Sequence, residues 1–249
     1  MKSKLLASLL LLFLPACAQE PRALTVSAAA NLEPAFTELG AQFEKQTGTK
    51  VTFNFGATVQ LAQQIAQGAP VDLFAAADRV TIDDLAARGI VIPETVQVYA
   101  RGQIVLYTHA DGPALQSLSD LTRSDIKRVA IANPERAPYG LAARQALQSA
   151  GLWTAIQPKV IIAENIQQTQ QYADTGNVDA AIIALSLALI SKGRWAAIPQ
   201  NLYAPIDQAL GVVKGAPNER DARMFAAFVT GSAGRAVLAK YGYGIPNAK

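Results

Sequence analysis

Residues 24–55 read LTVSAAANLEPAFTELGAQFEKQTGTKVTFNF, and the order of elements they encode sets the fold class. Residues 24–27, with Leu24 and the β-branched Thr25 and Val26, read as a strand. The run that follows puts Leu32, Phe36, Leu39 and Phe43 on one helical face. Asn31 stands where an N-cap belongs and Gly48 where a helix stops. Residues 50–55 alternate again and read as a second strand. Strand, helix and strand in that order make a βαβ unit, whose two strands run parallel.

The rhythm continues outward. A helix is predicted over 58–67, stopped by Gly68 and Pro70, then a short buried strand over 71–75 and a helix over 79–88. Beyond Tyr99-Ala100-Arg101-Gly102 it resumes, with strands over 104–108, 129–132, 160–163 and 180–184. Helices are predicted over 141–150, 166–175 and 185–192, and a last strand over 208–213 precedes helices over 219–230 and 232–241. The expectation is an α/β protein of two lobes, each a mostly parallel sheet flanked by helices. Residues 24–100 with 205–249 form one lobe and 101–204 the other, with the chain crossing near 99–101 and 203–205.

The N-terminus reads as a leader. Lys2 and Lys4 precede an apolar run over residues 5–14, too short for a span of about 20 helical residues. Leu14-Pro15-Ala16-Cys17 resembles a bacterial lipobox, which implies removal of residues 1–16 and lipid on Cys17. The alternative is an ordinary secretory signal cut near Ala16 or Ala18. Either way the protein is expected to be exported.

Composition excludes several chemistries. Of 249 residues, 51% are hydrophobic and 16% charged, the balance of a chain that buries a core. The net charge of +3 falls to +1 without Lys2 and Lys4, too weak to draw a nucleic acid. One Cys and one His rule out a disulfide framework and a Cys/His zinc site. There is no glycine-rich nucleotide loop. His109 reads as a turn residue rather than a catalytic base, Asp83 and Asp84 as a solvated helix face, and Asp72 and Asp78 as turn or cap residues, with ligand contact the alternative. Ser186 lacks a nucleophile-elbow motif, so no acid, base and nucleophile come together and the chain is not expected to be an enzyme.

What remains is a set of helix N-termini, at Ala30-Asn31, Ala57-Thr58, Tyr139-Gly140 and Asn165-Ile166. Each follows a predicted strand, on the side where open α/β sheets bind ligands. Unpaired N–H groups and the positive helix end hold anions without Lys or Arg. Two come from each lobe, as a clamshell requires; the alternative is that each is simply a good cap.

At these residues the chain resembles the periplasmic molybdate-binding proteins of ABC transporters. The segments carrying the likeness are Ser27-Ala28-Ala29-Ala30-Asn31-Leu32, the stretch from Gln64-Ile65 through Gly68-Ala69-Pro70-Val71-Asp72-Leu73-Phe74 to Ala77-Asp78, Asn133-Pro134 with Ala137-Pro138-Tyr139-Gly140, and Glu164-Asn165-Ile166. Lys240-Tyr241-Gly242-Tyr243 resembles the family's end. The resemblance implies a two-lobed type II periplasmic binding protein, acting as a monomer without cofactor. It would close on molybdate, and on tungstate, and hand the anion to an ABC permease. It implies oxyanion contacts from Ala30 and Asn31, the hydroxyls of Thr58 and Tyr139, and the N–H of Ile166. No residue would ligate the metal directly. Ala184 stands where another branch of the family has Tyr.

Two departures stand out. The second loop usually reads Ser-Ser-Gly or Ser-Ser-Ser, and here it is Ala57-Thr58-Val59. Ala30 lacks a hydroxyl that some relatives carry. Another oxyanion, such as sulfate or thiosulfate, is therefore the alternative ligand. Phosphate is disfavoured because a protonated oxyanion needs a carboxylate acceptor, and these loops have none.

Overall fold

The computed structural model describes residues 23–246, so the leader and Cys17 lie outside the described residues. The chain runs β1 (Ala23–Ala29), a 3-10 turn (Ala30–Leu32), α1 (Glu33–Thr47), β2 (Lys50–Gly56), α2 (Thr58–Ala66), β3 (Leu73–Ala75), α3 (Arg79–Ala87) and β4 (Gln97–Gly102). It continues through β5 (Ile104–Thr108), β6 (Val129–Ala132), α4 (Pro138–Ser149), α5 (Trp153–Ile156), β7 (Val160–Ala163), α6 (Ile166–Asp174), β8 (Ala180–Ala184), α7 (Leu185–Ala188) and β9 (Arg194–Ala197). It ends with β10 (Ile206–Val212), α8 (Glu219–Thr230) and α9 (Ser232–Lys240).

Two five-stranded sheets result, ordered β2-β1-β3-β10-β4 and β7-β6-β8-β5-β9. Both are mixed rather than mostly parallel. β1 pairs in parallel with β2 and β3, and β6 with β7 and β8. β10 runs antiparallel to β3 and β4, and β5 antiparallel to β8 and β9. The antiparallel strands adjoin the crossings, where the chain turns straight from one sheet into the other and no helical crossover reverses it. Only Gln103 separates β4 from β5. β10 returns beside β4, with Ile206 opposite Gly102, so the two crossings lie side by side as a hinge. A C-terminal strap joins them: Arg101 and Gly244 exchange N–H···O bonds of 2.7 and 2.9 Å.

The helices form for the reasons their pattern gives. Leu32, Phe36, Leu39 and Phe43 are all buried, each Leu or Phe contributing about 1.5–3 kcal/mol. Phe43 meets Phe225 of α8 edge-on, with ring centroids 5.2 Å apart, which fastens the end of the chain to its start. Asp72 is buried and structural: it accepts from Thr25 N at 2.8 Å and from Asn218 N at 3.1 Å, tying β1 and the start of α8 together. Asp78 caps α3 by accepting from Thr81 N. Asp83 and Asp84 sit in exposed pairs with Arg79 and Arg88. The first lobe also contains an edge strand, β4, that the alternation does not announce.

Candidate functional site

Each of the four helix N-termini contributes to the wall of one cavity between the lobes. Ala30, Asn31, Ala57 and Thr58 line it from the first lobe, and Tyr139, Asn165 and Ile166 from the second. It is small, leaving about 10 Å³ in which the centre of a water-sized sphere can move. Among the described residues, no carboxylate, imidazole, amine or guanidinium lines it. Beside it, at the cleft mouth, an open groove of about 360 Å³ is walled mainly by apolar groups, among them Val59, Val80, Pro134 and Leu141.

The local structure differs from simple capping at three of the four positions. Asn31 does not cap α1. It lies in the 3-10 turn, and the helix starts at Glu33-Pro34, with Pro where no intrahelical N–H is required. Thr58 is the first residue of α2, and Ala57 precedes it without a side-chain cap. In α4 the first residues are Pro138 and Tyr139. Gly140 follows because a Cβ there would lie 2.1 Å from Ala132 O, so only glycine lets this helix start so close to β6. Asn165 alone caps as expected, accepting from Gln168 N at 3.0 Å.

The polar side chains form one buried network. Asn31 Nδ2 lies 2.9 Å from Gln208 Oε1, 2.9 Å from the Tyr243 hydroxyl and 3.3 Å from the Tyr139 hydroxyl. The carbonyl of Asn31 accepts from Ser186 Oγ at 2.9 Å and from Tyr243 at 2.8 Å. The Tyr139 hydroxyl also accepts from Gln208 Nε2 at 3.3 Å. An amide nitrogen cannot accept, so neither contact takes the Tyr139 proton. Thr58 Oγ1 accepts from Ala77 N at 3.1 Å, which likewise leaves its proton for another acceptor. The side-chain amide of Asn31 is thus committed to the network.

The phenols stay neutral. Burial, then the neighbouring tyrosines, pushes Tyr139 well above its ordinary value. Burial pushes Tyr243 up to about 12, against the pull of its bonds to Ser186, Asn31 and Gln208. Tyr139 reaches the hinge only because of Gly102, where a Cβ would fall 2.1 Å from its hydroxyl. Across the cleft mouth Val59 N donates to Arg136 O at 3.1 Å, so the lobes are closed on each other.

Sequence reasoning missed Gln208, Tyr243 and Ser186 as members of this network. One signal was available for Gln208, a polar residue inside the apolar run of β10 that proves fully buried. Ser186 and Tyr243 reach Asn31 from distant parts of the chain, and no local pattern marks them.

Comparison with known proteins agrees with this architecture. The molybdate-binding protein ModA of Rhodobacter capsulatus is 33% identical over 96% of this chain and 93% of its own. ModA of Azotobacter vinelandii is 35% identical over 92% of this chain and 93% of its own. The solved structure of the Azotobacter vinelandii periplasmic molybdate-binding protein superposes with a TM-score of 0.85, at 29% identity, over 90% of this chain and all of that one. Residues 24–244 match the family described as bacterial extracellular solute-binding protein, and with two lobes closed on one cavity of helix N-termini the chain belongs to that family.

Proposed function

We propose that this protein captures molybdate, and tungstate with it, and delivers the anion to an ABC importer in the membrane. One observation carries the reading: a cavity walled by helix N-termini and neutral hydroxyls, with no charged group among the described residues that line it. Positive helix ends and N–H donors favour a small, fully ionised anion. The hydroxyls of Thr58 and Tyr139 add donors with unspent protons. Asn31 contributes its main chain, since its amide is held by Gln208 and Tyr243. Ala30 and Ile166 contribute as the turn and helix starts of opposite lobes.

Size sets the selectivity. A smaller tetrahedron such as sulfate leaves a donor short, and each unmade buried bond costs about 1–3 kcal/mol. Phosphate is excluded in its protonated form because no lining carboxylate accepts its proton. Turnover is not expected, since the lining holds no acid–base pair. Sulfate or thiosulfate is the second reading. It is favoured by the Ala57-Thr58-Val59 loop, which has one hydroxyl and whose Val59 N–H is spent on Arg136.

Export through the leader and anchoring through a lipid on Cys17 complete the proposal, both resting on residues outside the described structure. Cys17→Ser should release the protein from the membrane fraction; a soluble wild type would refute the anchor. The deciding experiment is calorimetry with a thermal shift on the mature protein against molybdate, tungstate, sulfate and phosphate. A ligand at one hundred times its Kd stabilises the fold by about 2.7 kcal/mol, which raises the Tm by about 5–10 °C. Silence from molybdate and tungstate would overturn the reading.

A further inference from the structure

The strap after α9 grips the cavity wall. Tyr243 is buried, and its hydroxyl donates to Asn31 O at 2.8 Å while accepting from Asn31 Nδ2 at 2.9 Å. A phenol has one proton, and the shorter of its two possible donations goes to that carbonyl, the other acceptor being Ser186 Oγ at 3.1 Å. One side chain thus holds Asn31 by main chain and side chain together. Ser186, from the second lobe, donates to the same carbonyl at 2.9 Å. The strap itself is pinned on both sides. Gly244 pairs with Arg101 at the hinge, and Gly242 lies so near α7 that a Cβ would come within 2.9 Å of Leu185 and Leu189.

We propose that Tyr243 is a positioning residue for anion capture. It fixes the Asn31 turn in its cavity-lining conformation and, through the carbonyl shared with Ser186, makes that conformation depend on lobe closure. This rests on the oxyanion-binding reading above. Tyr243 itself does not line the cavity, and it acts through Asn31. Without its hydroxyl, Asn31 keeps Gln208 and Ser186 but loses the bond that joins its two ends.

The test is calorimetric titration with molybdate and tungstate of the wild type, Tyr243→Phe, Ser186→Ala and Tyr241→Phe, well below the Tm of each. Tyr243→Phe should raise Kd about tenfold or more, chiefly through faster dissociation in stopped flow. Ser186→Ala, which deletes the second donor to the same carbonyl, should also raise Kd and keeps the idea testable if Tyr243→Phe does not fold. Tyr241→Phe lies on the same strap but bonds Glu38 outside the cavity, and its Kd should match wild type. A purely structural hydroxyl would lower the Tm and leave the Kd of the folded protein unchanged. Wild-type binding with an unchanged Kd in Tyr243→Phe overturns the positioning role alone, as does equal weakening in Tyr241→Phe. A wild type that binds neither anion overturns the parent reading and this role with it.

Discussion

The main-chain N–H of Val59, in the first turn of α2, donates to the carbonyl of Arg136 in the opposite lobe at 3.1 Å. This bond closes the cleft mouth between the cavity and the outer groove. It must break whenever the lobes part, so it reports closure directly. Amide exchange at Val59 should therefore slow when the anion is added and the closed form dominates. Hydrogen exchange read by NMR, with and without molybdate, checks this. Unchanged exchange at Val59 would mean that the closed contact does not follow ligand.

Tyr139→Phe should weaken anion binding by about 0.5–3 kcal/mol, the range for one lost bond up to donors left unsatisfied. The variant strands the amide of Gln208, whose Nε2 lies 3.3 Å from the Tyr139 oxygen, while Asn31 Nδ2 keeps its shorter bonds to Gln208 and Tyr243. Its apo Tm should fall as well. An unchanged Kd would remove the Tyr139 hydroxyl from the site.

Gly102→Ala tests the fit of the hinge. The added methyl would stand 2.1 Å from the Tyr139 hydroxyl and 3.2 Å from Gln208 Nε2. The closed arrangement cannot hold both the methyl and the phenol where they are. Small-angle scattering should show a protein that stays open in saturating molybdate, with much weakened binding. Normal compaction would show that the hinge accommodates the methyl.

Binding should be flat in pH from about 6 to 9, because no group in the cavity lining titrates there. Stability has a different limit. Tyr243 has a raised pKa of about 12 in the fold against an ordinary 10.0. A raised phenol keeps its proton in the fold after the unfolded chain has lost it. The stability this contributes is complete below about pH 10 and is lost as pH climbs through 12. Thermal melts should hold up to about pH 9 and then fall, with a shallower fall in Tyr243→Phe. A Tm already falling between pH 7 and 9 would place the sensitivity elsewhere.

Much of the fold was legible because buried strands write themselves as apolar runs. Residues 104–108, 129–132, 160–163 and 180–184 are strands with the expected bounds, and all but the edge strand β7 are buried throughout. The strands that escaped, β4 and β9, are sheet edges whose polar residues face water, so their pattern is diluted. Strand direction also escaped, since periodicity is blind to which way a buried strand runs. The helix expected over 185–192 stops at Ala188, where Ser191 Oγ takes the carbonyl that a further turn would have used.

The candidate cavity was legible in its outline, and its hydrogen bonding was not. All five residues that the resemblance pointed to line one cavity, because helix starts after parallel strands collect at one sheet end. The reading of Asn31 as a cap failed because tertiary partners outbid the local one. Gln208 and Tyr243 lie 177 and 212 residues away in sequence, and they hold the side chain by Nδ2, in the cavity wall rather than on α1, where a cap would accept through Oδ1.

The placement of β10 has a consequence for the order in which the molecule assembles. The second sheet is contiguous, with every strand between Ile104 and Ala197. The first is interrupted: β10 lies between β3 and β4, so residues 23–102 lack the strand that joins β4 to the rest of the sheet until residue 206 and beyond arrive. Non-local pairing of this kind is slow to form, and a contiguous unit has the advantage. The second lobe is thus the part suited to fold first, as a template. The first lobe, and the Asn31 wall that waits for Tyr243, is finished only when both ends of the chain are free to meet.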